Sequence, residues 1–195
     1  IINNPKGMVI GDTRYSRNIF SFRWTNAERE AIGIYEVEFD NSNKKDEKWY
    51  TNTNQTFAFA GGKITASYGS ATAKAHADTL YTADDESNGL GTEGEVKTEG
   101  LKTQLIRSVK KEAANILSET DWYIVRKADA GTAVPSAITT HRAAVRTKCA
   151  EMETAITNAS DTPALETLYT YVNTADEGDP EVIERPLGQL PRLES

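Results

Sequence analysis

The chain has 195 residues and a formal net charge of −7, with 38% hydrophobic and 26% charged residues. Nucleic-acid binding draws most of its affinity from a clustered basic surface, and this sequence has no such cluster, so we expect no nucleic-acid partner. No stretch approaches the roughly 20 apolar residues that a membrane-spanning helix needs, and we expect no membrane partner. The low apolar content favours an elongated protein, or one that completes its core against neighbouring subunits, over a loosely packed monomer with long loops.

The first third of the chain predicts a small antiparallel β-meander with one short helix. A capping box opens that helix, because Thr25 can accept a hydrogen bond from a backbone amide while Glu28 reaches back, and Gly33 ends it. The adjacent glycines Gly61 and Gly62 are typical of a two-residue hairpin turn. The predicted strands lie at residues 19–24, 34–39, 49–53, 56–60 and 63–68.

The segment after these strands changes in composition twice. Residues 71–81 are rich in alanine, which predicts a helix. Residues 83–98 are acidic and rich in glycine and asparagine, which is typical of a linker, and an ordered linker of this length usually has a function or a partner. We therefore predict a β-rich domain at residues 1–82 and a helical domain at residues 99–175, joined by this linker.

The linker nearly matches the calcium-loop pattern D-x-[DN]-x-[DN]-G-x5-E. The four candidate ligands are Asp84, Glu86, Asn88 and Glu95. Oxygen ligands at these spacings suit Ca²⁺, and Gly89 would supply the sharp turn. Two departures weaken the match, because Glu86 has too long a side chain for the third position and Gly91 replaces an aliphatic residue at the eighth. We interpret the segment as a solvated acidic linker and predict no metal site.

From residue 99 onward, apolar residues recur at three- and four-residue spacing, which predicts a helical hairpin followed by a third helix. The first helix runs to about residue 118. Pro135 and Ser136 open the second helix, whose apolar seam is expected to face the first. That seam consists of Ile138, Arg142, Val145, Cys149, Met152 and Ile156. Thr162 and Pro163 open the third helix, as its N-cap and its first residue.

Two residues of the helical domain are interface candidates. Arg142 interrupts the apolar seam, and an unpaired buried guanidinium is too costly to keep. We therefore expect an acidic partner, with Glu112 or Glu119 as the choices within the chain, or a carboxylate on a neighbouring subunit. Trp122 lies in the predicted connector between the two long helices. It is either a binding hot spot or a plug that covers the end of the hairpin, and we favour the plug.

The C-terminal segment, residues 176–195, has three prolines and no periodicity, which predicts an extended arm. Leu187, Leu190 and Leu193 are its candidate docking residues, and proline limits the entropy that such an arm loses on docking. We expect neighbouring subunits to hold both this arm and the acidic linker in place.

No group of residues in the sequence has the spacing of a catalytic site. His76 and His141 are the only histidines, and neither has a second ligand or a nucleophile turn such as G-x-S-x-G beside it. The single cysteine, Cys149, is expected to be a small buried hydrophobe and suits a reducing cytoplasm. We therefore predict no enzyme activity, no catalytic or cofactor-binding residues and no cofactor.

Two stretches carry longer motifs. The N-terminal one is Trp24–Glu30 followed by Gly33–Val37. The C-terminal one consists of Ala113, Ala114, Leu117, Thr120, Asp121, Trp122, Pro135, His141, Arg142, Ala144, Val145 and Arg146. The N-terminal motif resembles the opening of tailed-phage fibre and tail-assembly proteins, and the C-terminal motif resembles the C-terminal region of tail-fibre assembly proteins. Overall the chain is most similar to structural tail proteins of marine tailed phages.

This resemblance implies a non-enzymatic structural component of a phage tail, fibre-proximal or in the baseplate, that attaches neighbouring tail subunits. It implies other tail proteins and further copies of the chain as partners, and a place in the virion tail after assembly in the host cytoplasm. The alternative is a tail-fibre assembly chaperone that is not retained in the virion, although the long C-terminal arm departs from such chaperones. A calcium-dependent binding module is a third hypothesis.

Overall fold

The computed structural model describes residues 6–193, and the chain divides into two compact units, Ile1–Thr72 and Ala73–Ser195. Helices and small β-sheets are both present, so the predicted α+β class is confirmed. The division between the units falls earlier in the chain than the predicted boundary at residues 82–83. Within residues 6–193, no helix combines the length and the apolar content that crossing a bilayer requires.

The first unit is built from short strands, one 3-10 helix and one short α-helix. In chain order these are β1 (Met8–Ile10), β2 (Thr13–Tyr15), the 3-10 helix (Arg17–Phe20), α1 (Asn26–Glu30), β3 (Val37–Asp40), β4 (Tyr50–Thr51), β5 (Gln55–Ala60) and β6 (Lys63–Tyr68), with β7 (Thr72–Ala73) spanning the boundary. The strand predicted at residues 19–24 is wrong, because the 3-10 helix occupies its start. There the Ser16 hydroxyl accepts a hydrogen bond from the Asn18 amide, and such short polar side chains favour turns over extended structure. The capping box predicted between Thr25 and Glu28 is confirmed.

A three-stranded sheet with the order β3-β6-β5 lies at the centre of the first unit. β5 and β6 are antiparallel and are joined by Gly61 and Gly62, whose positive φ angles confirm the predicted hairpin turn. β3 runs parallel to β6, so the predicted antiparallel meander is wrong for this strand. A parallel neighbour needs a long connection, and residues 41–62 provide it. The buried hydrophobic residues described in this unit are Ile19, Trp49, Tyr50 and Ala66.

The second unit is mainly helical. Its elements are β8 (Thr79–Leu80), α2 (Ala83–Ser87), β9 (Val96–Thr98), α3 (Leu101–Ser118), α4 (Asp121–Ala130), α5 (Ser136–Asn158), α6 (Thr162–Tyr169), β10 (Val172–Asn173) and β11 (Ile183–Glu184). The predicted hairpin is confirmed in its main packing, because α3 lies against α5. Its core consists of Leu101, Leu105, Val109, Ala113 and Ile116 of α3 and Ile138, Val145, Met152 and Ile156 of α5.

The helix predicted at residues 71–81 is wrong, because this segment supplies hydrogen-bond acceptors to the start of α3 instead. The carbonyl oxygen of Ala75 accepts from the Leu101 amide, and that of His76 accepts from the Lys102 amide, both at 3.0 Å. The first amides of a helix have no partner within it, so these contacts satisfy groups that would otherwise be left open. We call residues 74–78 the capping segment.

Asp78 completes this cap with its side chain. Its carboxylate accepts hydrogen bonds from the Gly100 amide at 2.6 Å and from the Thr103 hydroxyl at 2.8 Å. The approach requires glycine, because a Cβ atom on Gly100 would lie 2.3 Å from the backbone of Ala77. Alanine propensity in the capping segment is thus overridden by tertiary hydrogen bonds.

The start of α6 is also tied to the capping segment. Asp161, rather than the predicted Thr162, is the N-cap, and its carboxylate accepts from the Ala164 amide at 2.8 Å. Pro163 lies in the first turn, one position after the predicted one. Thr162 is buried, and its hydroxyl donates to the carbonyl oxygen of Lys74 at 2.6 Å. One short segment therefore contacts the beginnings of two helices.

Residues 83–98 are not a linker, because they form α2 and β9 within the second unit. Thr82 and Asp85 make a capping box that starts α2. β9 pairs antiparallel with β8, and Lys97 of β9 forms an ion pair with Asp85 at 2.7 Å. Local capping and strand pairing give this acidic segment a defined structure that its composition did not indicate.

The C-terminal arm predicted at residues 176–195 is not extended over its described part. β11 pairs antiparallel with β10, and the Leu187 amide donates to the Leu168 carbonyl at 3.0 Å. Leu187 and Leu190 are 2% and 5% exposed, whereas Leu193 is 42% exposed. The first two leucines therefore pack within their own unit, because burial there removes their apolar surface from water without a neighbouring subunit.

Candidate interaction surface on helix α4

Helix α4 starts shortly after α3 ends, and Arg142 of α5 fixes this junction. Its guanidinium donates hydrogen bonds to the Leu117 carbonyl at 2.6 Å and to the Thr120 hydroxyl at 2.7 Å. It also forms an ion pair with Asp121 at 2.8 Å. The last carbonyls of a helix lack internal partners and carry partial negative charge, so a cation at this position stabilises the end of α3. We call these four residues the Arg142 junction.

The prediction that Arg142 has an acidic partner is confirmed, but the partner is Asp121 rather than Glu112 or Glu119. The predicted connector at residues 120–125 is wrong, because Thr120 is the N-cap of α4 and residues 121–125 belong to the helix. A carboxylate in the first turn of a helix is favoured by the helix dipole, and here it also lies beside the guanidinium. The helical start of α4 therefore supplies the ion pair.

Helix α4 exposes an apolar and aromatic surface. Trp122 is 54% exposed, Ile124 is 42% exposed and Val125 is 65% exposed. The Trp122 and Tyr123 rings lie 4.8 Å apart between centroids, and the Arg126 guanidinium lies 4.4 Å from the Trp122 ring and 5.5 Å from the Tyr123 ring. A ring this exposed does not cover the end of the hairpin, so the plug interpretation is wrong. Residues 122, 123, 125 and 126 share one side of the helix through spacings of three and four, and we call these four residues the α4 surface, whereas Ile124 lies on the other side.

The chemistry of the α4 surface suits binding. Tryptophan, tyrosine and arginine are the residue types that most often dominate interface energetics. The stacking of Arg126 on both rings restricts the side chains before any partner arrives, which reduces the entropy lost on binding. None of the four side chains is a carboxylate, histidine, cysteine or serine. The surface offers apolar contact and one positive charge held against aromatic rings.

The four candidate calcium ligands do not form a site. Asp84 and Glu86 lie on helix α2, where the Asp84 backbone carbonyl accepts from the Asn88 side-chain amide at 2.7 Å, and Glu95 lies in the turn before β9. Among residues 6–193, no group of three or more His, Cys, Asp or Glu side chains could hold a metal ion. Asp85, which is not one of the four candidates, accepts a hydrogen bond from Lys97, and this bond is the main reason that its pKa is lowered to about 2.

The remaining predicted residues lie apart from the α4 surface. His141 is buried on α5, and His76 belongs to the capping segment. Cys149 is half-buried, and burial, followed by its hydrogen bond with Glu153 at 3.4 Å, raises the pKa of the thiol. A thiol with a raised pKa is a poor nucleophile at neutral pH. Of the three arm leucines, Leu193 is the one that stays exposed.

An exposed aromatic surface on the first unit was not predicted from the sequence. Phe39, Phe57 and Phe59 are 60%, 49% and 59% exposed. The strand register places Phe39 and Phe57 beside Ala66, and Phe59 beside Ile64, which puts these side chains on one face of the sheet. An open groove of about 840 Å³ adjoins this face, and its lining includes Phe20, Arg29, Ile34 and Val37. The alternation of phenylalanine with alanine in β5 indicates that both phenylalanines lie on one face of a strand. Only the strand order shows that Phe39 of β3 lies on the same face of the sheet.

Comparison with known proteins identifies no relative: no protein family, no curated protein and no solved structure matches this chain. The residues of the α4 surface and of the aromatic sheet face are therefore the basis for inferring what the protein does.

Proposed function

We propose that the chain is a non-enzymatic subunit-binding protein and that its α4 surface contacts a neighbouring subunit. The observation that carries this proposal is an exposed aromatic–arginine stack on a helix whose start is anchored. Trp122 is 54% exposed, while the side chain of Arg142, which holds the start of the same helix, is 9% exposed. An exposed tryptophan on a fixed helix is preorganised, so little free energy is spent on ordering it when a partner binds.

The assembly that we propose is the tail of a tailed bacteriophage. Its support is the resemblance of the C-terminal motif, which includes Thr120, Asp121, Trp122 and Arg142. Arg142 contacts both Thr120 and Asp121, so these motif residues act together to start the helix that presents Trp122. In this proposal the chain is a fibre-proximal or baseplate component, its partners are other tail proteins and further copies of itself, and it resides in the virion tail after assembly in the host cytoplasm.

Quantitative mass spectrometry of purified tails tests the assignment to the virion. The tails would come from the virus that encodes the chain, and the chain is expected in a fixed ratio to the other tail proteins. A chain that binds a tail protein during assembly but is absent from finished tails would be an assembly chaperone instead. Absence from both finished tails and assembly intermediates would contradict the proposal.

The role of the α4 surface is tested by Val125→Asp, with Leu90→Asp as the matched control. Both residues are strongly exposed, at 65% and 59%, and only Val125 belongs to the α4 surface. Exposed substitutions of this kind change stability by about 0.5 kcal/mol or less, so both variants should fold. We expect Val125→Asp to be lost from purified tails and Leu90→Asp to be retained. Equal retention of the two variants, with unchanged circular dichroism, would exclude α4 as a contact.

A further inference from the structure

The two edges of the three-stranded sheet differ in their chemistry. The order β3-β6-β5 leaves one side of β3 and one side of β5 without a neighbouring strand in the described part of the chain. An unpaired edge is a template for another strand, and proteins usually protect such edges with charges, proline or a bulge. β3 carries the charged residues Glu38 and Asp40, whereas β5, with the sequence Gln-Thr-Phe-Ala-Phe-Ala, carries no charge and no proline.

The charges on β3 oppose a second copy at that edge. Two antiparallel β3 strands centred on Phe39 would place Glu38 of one copy opposite Asp40 of the other, and like charges in direct opposition destabilise a strand pair. Glu38 already forms an ion pair with Lys63 of β6. The edge of β5 has no such obstacle, because each of its six residues is uncharged.

We propose that β5 pairs antiparallel with β5 of a second copy of the chain, about a two-fold axis at Ala58, to give one continuous six-stranded sheet. In this register Phe57 of each copy lies directly opposite Phe59 of the other. Cross-strand aromatic pairs stabilise antiparallel sheets, and the two-fold axis makes two such pairs. The inference goes beyond the proposed function, because it names the strand and the register through which two copies pair, and it does not depend on the α4 surface.

The size of the contact sets its strength. Phe57 and Phe59 are 49% and 59% exposed, and because a phenylalanine can bury about 150–250 Å², together they offer on the order of 200 Å² per copy. Together with the backbone contacts of six residues, this area lies below the roughly 1,200–2,000 Å² that stable interfaces bury in total, which is typical of a weak contact. The dimer is therefore reversible and dependent on concentration in solution.

Disulfide trapping tests the register. Opposed side chains of an antiparallel pair have Cβ atoms about 4.5–5.5 Å apart, which a disulfide can bridge with a small adjustment. Ala58→Cys is expected to give a covalent dimer on mild oxidation, with a 58–58 link found by peptide mass spectrometry. Phe39→Cys, at the centre of a β3–β3 pair, and Thr65→Cys on the central strand are the matched controls, and the native Cys149 is present in all three variants. A monomeric Ala58→Cys, or stronger trapping through Phe39→Cys, would overturn the proposal.

Sedimentation of the purified chain provides the second test. The average mass of the unmodified chain should rise towards twice the monomer mass as its concentration increases. Ala58→Lys would place two like charges opposite each other and should keep the chain monomeric, while Ser70→Lys, exposed and outside the strands, should behave like the unmodified chain. Circular dichroism shows whether the two lysine variants fold. If Ala58→Lys is unfolded, the disulfide-trapping result tests the proposal in its place. A monomeric unmodified chain at every concentration would also overturn the proposal.

Discussion

Replacing Arg142 by methionine tests how much the Arg142 junction stabilises the second unit. Methionine has a similar length but no donors, so the substitution removes the hydrogen bonds to Leu117 and Thr120 together with the ion pair to Asp121. The Leu117 carbonyl keeps the Thr120 amide and hydroxyl as donors, so the loss is that of two hydrogen bonds from a charged donor, at about 1.5–3 kcal/mol each, or about 3–5 kcal/mol together. The Asp121 side chain is 57% exposed, so its share is reduced by solvent screening to about 1 kcal/mol or less. Most of the lost stability therefore comes from the hydrogen bonds that Arg142 donates to the Leu117 carbonyl and the Thr120 hydroxyl.

Urea unfolding followed by circular dichroism measures this difference. We expect Arg142→Met to lower the free energy of unfolding by about 3–5 kcal/mol and Asp121→Asn by at most about 1 kcal/mol. Arg146→Met, one turn further along α5 and exposed, is the matched control and should change it by about 0.5 kcal/mol or less. An Arg142→Met variant within 1 kcal/mol of the unmodified chain would refute this reasoning. Equal losses for Arg142→Met and Asp121→Asn would show that the ion pair dominates instead.

Ile156 is fully buried, so Ile156→Ala should lower the free energy of unfolding by about 2–5 kcal/mol in the same urea experiment. The Lys97 hydrogen bond lowers the pKa of Asp85 to about 2, below an unfolded value of about 3.9. Its stabilising contribution is therefore complete above about pH 4 and is lost as the pH falls through 2, and Lys97→Met should raise the pKa in an NMR titration of the Asp85 carboxyl. The buried Leu187 should be costlier to replace by alanine than the exposed Leu193, and its amide should resist hydrogen exchange in the free chain. Rapid exchange there would favour an arm that needs a neighbouring subunit.

Elements with a local signal were predicted from the sequence with little error. The Thr25–Glu28 capping box and the Gly61–Gly62 turn depend on residues that are adjacent or three apart, and both form as expected. The two long helices were also predicted, because their apolar spacing decides which face is buried. For these elements the local pattern was sufficient, although the equally local Thr82–Asp85 capping box that starts α2 was missed.

Elements decided by distant contacts were predicted wrongly. Residues 71–81 have the composition of a helix, but the amides at the start of α3 take their carbonyl and carboxylate oxygens as acceptors. The parallel pairing of β3 with β6 places Val37 beside Ile64, 27 residues later in the chain, and nothing local indicates this pairing. Propensity is a weak prior when tertiary hydrogen bonds compete with it.

The candidate site was predicted in part. Trp122 and Arg142 were both identified from their types and positions, and the need for an acidic partner followed from the cost of a buried charge. Asp121 could not be chosen over Glu112 or Glu119, because the choice depends on α4 being a helix rather than a turn. The edge of β5 could not be found at all, since exposure of an edge follows from strand order.

The capping segment has a consequence for how this protein can be divided. A fragment that begins at Ala83 contains every long helix, yet it lacks the acceptors for the first amides of α3 and the carbonyl of Lys74 that accepts from Thr162. A fragment that begins at Ala73 retains them, and it matches the second compact unit. Cleavage in the acidic stretch, where composition alone would place the cut, therefore removes the hydrogen-bond acceptors at the starts of two helices, and the shortest piece able to fold as a helical body starts ahead of that stretch.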